Sequence, residues 1–305
     1  MRSAILFMTY KRYETSVQVF DAIRKAQPPR LYFASNAPNP ENNGEQIKVE
    51  EVRNLVKKID WPCDIHTLFR EKHLSVKYSI SSAIDWFFEN EEEGIILEDD
   101  VLPTQSFFMF CDELLHRYKK DMRVWHIAGN NFHSGWVRDP VYSYYFSYYG
   151  SIWGWATWKT RWQYYDVNIS NYEEIKHKGY LKDVLGSQEK LNFRIDSFDA
   201  IINGLDTWDY QWFYCRIINH GLSIVPNINF VKNIGFFENS THTGSINDFR
   251  AFMNSGDIEF PLNHPDFMIR DQVSDIKYLN KIAPNDQLLK FKKNIKTWQK
   301  KLKRH

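Results

Sequence analysis

The stretch Gly94-Ile95-Ile96-Leu97-Glu98-Asp99-Asp100-Val101-Leu102-Pro103 reads as a buried strand that runs straight into three consecutive acids. A short apolar run rich in branched residues marks a strand covered on both faces. Similar runs stand at Ala4 to Met8, Leu31 to Ala34, Ile65 to Phe69 and Val124 to Ala128. Helical patterns separate them, at about Glu14 to Lys25, Ile47 to Lys58, Ser75 to Phe88 and Ser106 to Tyr118. This alternation predicts an α/β fold with a mostly parallel central sheet and helices on both faces. Ligands of such sheets bind at the carboxyl ends of the strands. The segments to read for chemistry are therefore Thr9 to Arg12, Ser35 to Pro38, Arg70 to Lys77 and Glu98 to Pro103.

The remaining composition narrows the class. The chain has 305 residues, 39 Lys+Arg against 38 Asp+Glu, 43% hydrophobic residues, 13 Gly and 11 Pro, a profile that excludes disorder. A net charge of +1 offers no general basic surface for nucleic acid. Cys63, Cys111 and Cys215 stand apart and form no CxxC pair, so neither a zinc site nor a disulfide framework is expected, and a reducing cytoplasm fits. The apolar run from Ala4 to Met8 is too short for a signal-peptide core or a membrane span.

Three adjacent acids at a strand end repel one another, and a divalent cation relieves the repulsion. Mg²⁺ or Mn²⁺ typically takes one or two carboxylates together with phosphate oxygens and water, so the expected ligand is a nucleotide diphosphate. The competing reading has the acids opening the helix that begins near Thr104, where negative charge suits the helix dipole.

Beyond Gly129 the sequence turns irregular and aromatic, then helical at about Gln188 to Asn203 and Tyr210 to His220, and strand-like from Ser223 to Gly235. Aromatic residues make up 16% of the chain and concentrate between Trp136 and Trp212. They serve equally as core material or as faces for sugar rings. The loop Phe236 to Ser245, rich in Ser, Thr, Asn and Gly, reads as a lid or as a plain surface loop.

ILEDDVLP with its following amphipathic helix, GSIWGWATW and TWDYQW, in this order and spacing, resemble bacterial nucleotide-sugar glycosyltransferases of the GT-A fold. The group is the hemolysin-like (HlpA-like) one, related to N-acetylglucosaminyltransferase I, and the resemblance runs from Ala4 to about Thr243. It implies a Rossmann-like GT-A domain over 1–245, with a nucleotide-sugar-binding half over 1–128 and an acceptor and catalytic half over 129–245. A helical extension over 246–305 follows.

The same resemblance implies a metal-dependent inverting transfer of a sugar, hexose or N-acetylhexosamine, from a nucleotide-diphosphate donor to a hydroxyl of a saccharide or glycoconjugate. A UDP-sugar is the favoured donor, although Ser35-Asn36 departs from the Ser-Asp of many relatives. Asp100 would bind Mn²⁺ (or Mg²⁺), while Glu98 and Asp99 would contact ribose and sugar hydroxyls. Trp153, Gly154 and Trp155 would form the donor-sugar and acceptor floor.

An inverting transfer needs a base for the acceptor hydroxyl. Asp209, at the start of a helix and among aromatics, is the first choice, with an N-cap role as its alternative, and Glu238 is the second choice. Thr9, Arg12, Asn36, Arg70 and Lys77, all at strand ends, are the candidates for the nucleotide. His242 would donate to the diphosphate or complete the metal shell as the loop closes.

From Leu288 to His305 there are eight Lys or Arg and no acid, with Leu288, Phe291, Ile295, Trp298 and Leu302 at helical spacing. Such a helix either packs on the body or lies on anionic lipid at the inner face of a membrane, which would suit a lipid-linked glycan acceptor. Two rival classes keep the same motifs: a noncatalytic carbohydrate-binding protein, and a metal-dependent nucleotidyltransferase or phosphohydrolase.

Overall fold

A computed structural model describes residues 1–186, 188–237 and 249–282. Its ten strands are β1 (Ala4–Thr9), β2 (Arg30–Ser35), β3 (Asp64–Phe69), β4 (Glu93–Glu98), β5 (Val101–Pro103), β6 (Val124–Ala128), β7 (Tyr144–Ser147), β8 (Trp155–Trp158), β9 (Leu222–Pro226) and β10 (Val231–Asn233). The first four long helices are α1 (Tyr13–Ala26), α2 (Glu45–Arg53), α3 (Val76–Asn90) and α4 (Gln105–Tyr118). After β8 come α5 (Lys159–Trp162), α6 (Tyr172–His177), α7 (Tyr180–Leu185), α8 (Gln188–Ile202), α9 (Asp209–Ile218) and α10 (Gln272–Ile282).

Eight strands form one sheet in the order β3-β2-β1-β4-β8-β6-β9-β7. β3, β2, β1 and β4 are parallel, as are β6 and β9, whereas β8 runs antiparallel between β4 and β6 and β7 runs antiparallel at the edge. The sheet is thus mostly parallel with helices on both faces, as the alternating pattern predicts.

Period-two side-chain alternation splits the strands between two cores. Ile5, Phe7, Leu31, Phe33, Ile95 and Leu97 face α1 and α4, while Ala4, Leu6, Met8, Tyr32, Ala34 and Ile96 face α3 and α9. A third cluster, built on Tyr172, Phe198, Phe213 and Tyr214, joins α6, α8 and α9 beyond the sheet. The described part of the C-terminal segment is tied to this body. Asn263 and Ser143 exchange hydrogen bonds, Asp271 N–H donates to the Phe146 carbonyl at 2.7 Å, and Asp275 on α10 accepts from Ser147.

Two features differ from the sequence reading. The strand-like stretch after Ser223 is two strands, β9 and β10, and β10 leaves the main sheet to pair antiparallel with β5. Trp155 was expected on a sugar-binding floor, yet it is 0% exposed. The reason is topological: β8 lies inside the sheet, in register with Ile96 and Ala128, and turns this indole onto the helix-covered face. There it stacks on Trp208 and His126 and packs against Trp162 and Trp212. Trp158 and Trp162 are core residues as well. Trp155→Ala should therefore cost about 3–5 kcal/mol of stability, as large-to-small core changes of aromatics do. Urea unfolding checks this, and a loss below about 1 kcal/mol contradicts the packing role.

Candidate functional site

The chain leaves β4 at Glu98, turns through Asp99 and Asp100, and enters β5 at Val101. Because β5 pairs with β10, the acids stand in a turn at the carboxyl edge of the sheet and do not open the following helix. That helix starts at Gln105 with Thr104 as its N-cap. The dipole-capping reading of the triplet is thereby removed.

Arg12, just after β1, reaches across to the turn. Its Nη1 donates to Asp100 Oδ2 at 2.9 Å, and its Nη2 lies 3.5 Å from Asp99 Oδ1. The Tyr10 N–H donates to Asp99 Oδ2 at 3.2 Å. Gly235, beyond β10, closes on the same pair. A Cβ there would lie 2.6 Å from both Arg12 Nη1 and Asp100 Oδ2, so only glycine fits.

One guanidinium does not balance three carboxylates. Burial, together with Asp100, Asp99 and Asp209, holds the Glu98 carboxyl well above its ordinary range, and Arg12 only partly opposes this. Burial and Asp100 likewise raise Asp99, to about 6, against the pull of Arg12 and the Tyr10 N–H. Arg12 loses solvation, but Asp99 and Asp100 outweigh that loss and hold its proton more tightly. The excess negative charge suits a hard cation. Among the described residues no three His, Cys, Asp or Glu stand together as a complete metal cage. A cation here would take Asp100 and fill its shell from a ligand's phosphates and water, the pattern usual for Mg²⁺.

The cleft above the acids has a volume of about 230 Å³ and is lined by Thr9, Tyr10, Arg12, Asn36, the three acids and Trp153. A second cleft of about 640 Å³ continues it past Tyr10, Asn36, His73 and Lys48. Thr9 and Arg12 thus stand where their strand end predicts. Asn36 lines both clefts, but its amide is spent on the main chain: Nδ2 donates to Leu74 O at 2.8 Å, and Oδ1 accepts from the Leu74 and Ala37 N–H groups. It acts as a strut between two loops instead of offering that amide to a base edge.

Arg70 turns away from the cleft and donates to Ser82 Oγ at 2.6 Å and to the Ser79 carbonyl on α3. The Lys77 ammonium stands over the Tyr78 ring at 5.7 Å. Neither basic side chain lines either cleft. The lining residues that were not named as candidates include Tyr10, Ile152 and Asn233. Tyr10 carried a signal as the residue that directly follows β1, and Ile152 as a member of the GSIWGWATW stretch, whereas Asn233 carried none.

On the far side of Ile152 and Trp153 lies another cavity, of about 370 Å³, and Asp209 lines it. Ile152 and Trp153 therefore form a wall shared by two sites. The wall is held from behind. Buried His126 donates through Nε2 to the Ser151 carbonyl at 3.0 Å and accepts from Trp212 Nε1 at 3.3 Å. Burial, reinforced by Arg216, pushes its pKa well below the ordinary value, so the ring is neutral. Gly154 ends the wall at φ +61, with Val231 only 3.1 Å from where a Cβ would sit, a place for glycine alone.

Asp209 is the first residue of α9, with Trp208 as the N-cap, and its carboxylate accepts from Thr207 Oγ1 and makes no capping bond. It is close enough to Glu98 for the two carboxylates to repel. Glu238, His242 and residues 288–305 lie outside the described residues.

No family model matches the chain, and no curated protein does. Among solved structures it is similar to UDP-glucose pyrophosphorylase complexed with UDP-glucose, at 10% identity and TM-score 0.31, over 54% of this chain and 79% of that one. It is also similar to 4-diphosphocytidyl-2C-methyl-D-erythritolsynthase from Anaerococcus prevotii DSM 20548, at 8% identity and TM-score 0.35, over 68% and 86% of the two chains. A third is the apo-form glycosyltransferase GlyE of Streptococcus pneumoniae TIGR4, at 12% identity and TM-score 0.36, over 73% of this chain and 44% of GlyE. Likenesses this distant carry no functional argument, which rests on the site's own residues. Among the described residues no helix is long and apolar enough to cross a membrane.

The acid cluster has a measurable consequence. Asp99 keeps its proton up to about 6 in the folded protein, against 3.8 for an ordinary aspartate. Between those values Asp99 holds more proton in the folded state than in the unfolded chain, so its own contribution to stability falls as pH rises through that window. Across it the urea midpoint of ligand-free Asp99→Asn should rise relative to that of wild type, because the variant lacks this linkage. An unchanged slope in Asp99→Asn contradicts the assignment.

Proposed function

We propose that the protein is a metal-dependent, inverting glycosyltransferase of the GT-A type. It would move a sugar from a nucleotide-diphosphate donor, a UDP-sugar by preference, to a hydroxyl of a saccharide or glycoconjugate. One observation carries this reading: a carboxylate-lined cleft at the strand ends and a separate Asp209 cavity share the Ile152–Trp153 wall. A transferase needs two substrates to meet across such a boundary, whereas a sugar-binding protein needs one groove and no excess of buried carboxylates.

In this reading the donor's nucleotide lies along the clefts at the ends of β1, β2 and β4. Asp100 would hold Mn²⁺ or Mg²⁺, which when bound neutralises the charge leaving with the diphosphate. Arg12 keeps Asp99 and Asp100 in place and meets phosphate oxygens, while Glu98 and Asp99 orient ribose and sugar hydroxyls. Trp153 gives the donor sugar an apolar face. The acceptor enters from the other side of the wall, where Asp209 removes the proton from its hydroxyl as that oxygen attacks opposite the departing diphosphate. The setting proposed is the cytoplasm, with residues 288–305 offering contact to the inner face of a membrane.

Asp209→Asn should keep nucleotide-sugar binding and lose transfer by roughly 10²–10⁴-fold, the usual contribution of a general base. Release of nucleoside diphosphate from a panel of donors and acceptors measures this. Transfer at the wild-type rate removes Asp209 from the role, and release of pyrophosphate in place of nucleoside diphosphate turns the reading to a nucleotidyltransferase.

A further inference from the structure

The Asp209 cavity carries more positive charge than the base chemistry uses. Arg194 and Arg216 both line it and are 6% and 1% exposed. Neither forms an ion pair with any carboxylate among the described residues. The Arg194 guanidinium rests on aromatic faces, 4.1 Å from the Phe213 ring centre and 5.3 Å from that of Tyr149. Arg216 donates to Ser223 Oγ and, at 3.3 Å, to the Gly150 carbonyl.

The Nε atoms of both arginines and the Tyr149 hydroxyl are buried without a hydrogen-bond partner among the described residues. All three residues line this one cavity. Asp209 is the only carboxylate among its described lining residues. Its nearest bonded neighbour is Thr207, on its own helix entry.

Burying a guanidinium without a countercharge costs several kcal/mol, and an unpartnered buried donor adds to that cost. The strain registers locally. Burial pushes Arg216 down to about 9, and Arg194 pushes the same way. Arg194, Arg250 and Arg216 all act on the buried Tyr278 hydroxyl, opposed by Asp209. Structures tolerate such charges where a ligand of opposite sign completes the site, and arginine is the residue suited to planar or bidentate anions.

We infer that the cavity beyond the Ile152–Trp153 wall binds an acidic saccharide, whose carboxylate or phosphate is received by Arg194, Arg216 and the Tyr149 hydroxyl. That this saccharide is the acceptor rests on the transferase reading, whereas the anion site stands on the cavity itself. A volume of about 370 Å³ accommodates one sugar ring with its charged group, within the usual range of about 300–1,000 Å³ for small-molecule sites. Ile152 and Trp153 supply the apolar side of the pocket. Asp209 then sits beside a sugar that the arginines orient, with a neutral hydroxyl turned to the carboxylate and the acidic group held away from it.

The test compares melting temperatures of the full chain with glucuronate, N-acetylneuraminate and glucose 6-phosphate against glucose and N-acetylglucosamine, without nucleotide or metal. Wild type should be stabilised by at least one acidic sugar and by neither neutral one. Arg194→Met should abolish that shift while leaving the ligand-free melting temperature equal or higher, because it removes a buried charge that no described carboxylate balances and keeps an apolar chain against the same rings. Arg216→Lys, a milder change at a fully buried position, should weaken the shift.

Equal shifts with neutral and acidic sugars overturn the inference, as does an acidic-sugar shift that persists in Arg194→Met. An acidic-sugar shift that disappears in Asp100→Ala and not in Arg194→Met also overturns it, by moving the anion to the carboxylate cleft. Nucleotide shifts with Mn²⁺, read in the same plates, test the transferase reading separately, so failure of either leaves the other distinguishable.

Discussion

Arg12 between Asp99 and Asp100 organises the carboxyl edge of the sheet. Its 2.9 Å bond to Asp100 joins residues that are distant in the chain, from the end of β1 to the turn after β4. Without it three adjacent acids would repel one another in a partly desolvated turn, where charge interactions are far stronger than in water. The ion pair also sets the space beside it, since Gly235 approaches so closely that no side chain fits. The strand that leads to Gly235 pairs with the strand that leaves the acids, so turn, ion pair and glycine form one closed unit.

The aromatic half does a different job from the one its composition invites. Most of its indoles are structural: Trp125, Trp155, Trp162, Trp208 and Trp212 pack together under the sheet. Of the GSIWGWATW segment, Ile152 and Trp153 line two clefts, and neutral His126 keeps their backbone in place through Ser151. A core of stacked rings backs the Ile152–Trp153 boundary that the two clefts share. Charge differs across that boundary. The strand-end cleft has excess carboxylate, and the Asp209 side has excess guanidinium.

The strands of the first half were legible because their signal is local. Each apolar run between helical patterns at Ala4, Leu31, Ile65, Gly94 and Val124 is a strand of the sheet; four are buried as expected, whereas the edge strand at Ile65 is largely exposed. The acids at the end of β4 were legible as a site because three like charges after a buried strand have few structural uses. What was not legible depends on pairing between distant segments. Trp155 reads equally well as sugar platform or core, and only the insertion of β8 between β4 and β6 decides for core. Arg70 and Asn36 occupy strand ends as expected, yet α3 and the Leu74 loop claim their polar atoms first. The cationic character of the Asp209 cavity was equally hidden. Arg194 and Arg216 look like ordinary helix charges until tertiary packing buries them together.

The most direct test of the central claim is the melting temperature of the purified protein with UDP, GDP, dTDP or CMP, each with and without Mn²⁺, in wild type and Asp100→Ala. Binding to the folded state alone raises the melting temperature. The account predicts that one nucleotide stabilises wild type only when Mn²⁺ is present, and that Asp100→Ala loses this stabilisation while remaining folded. Stabilisation by no nucleotide, or stabilisation that Asp100→Ala retains in full, contradicts the assignment of the carboxylate cleft.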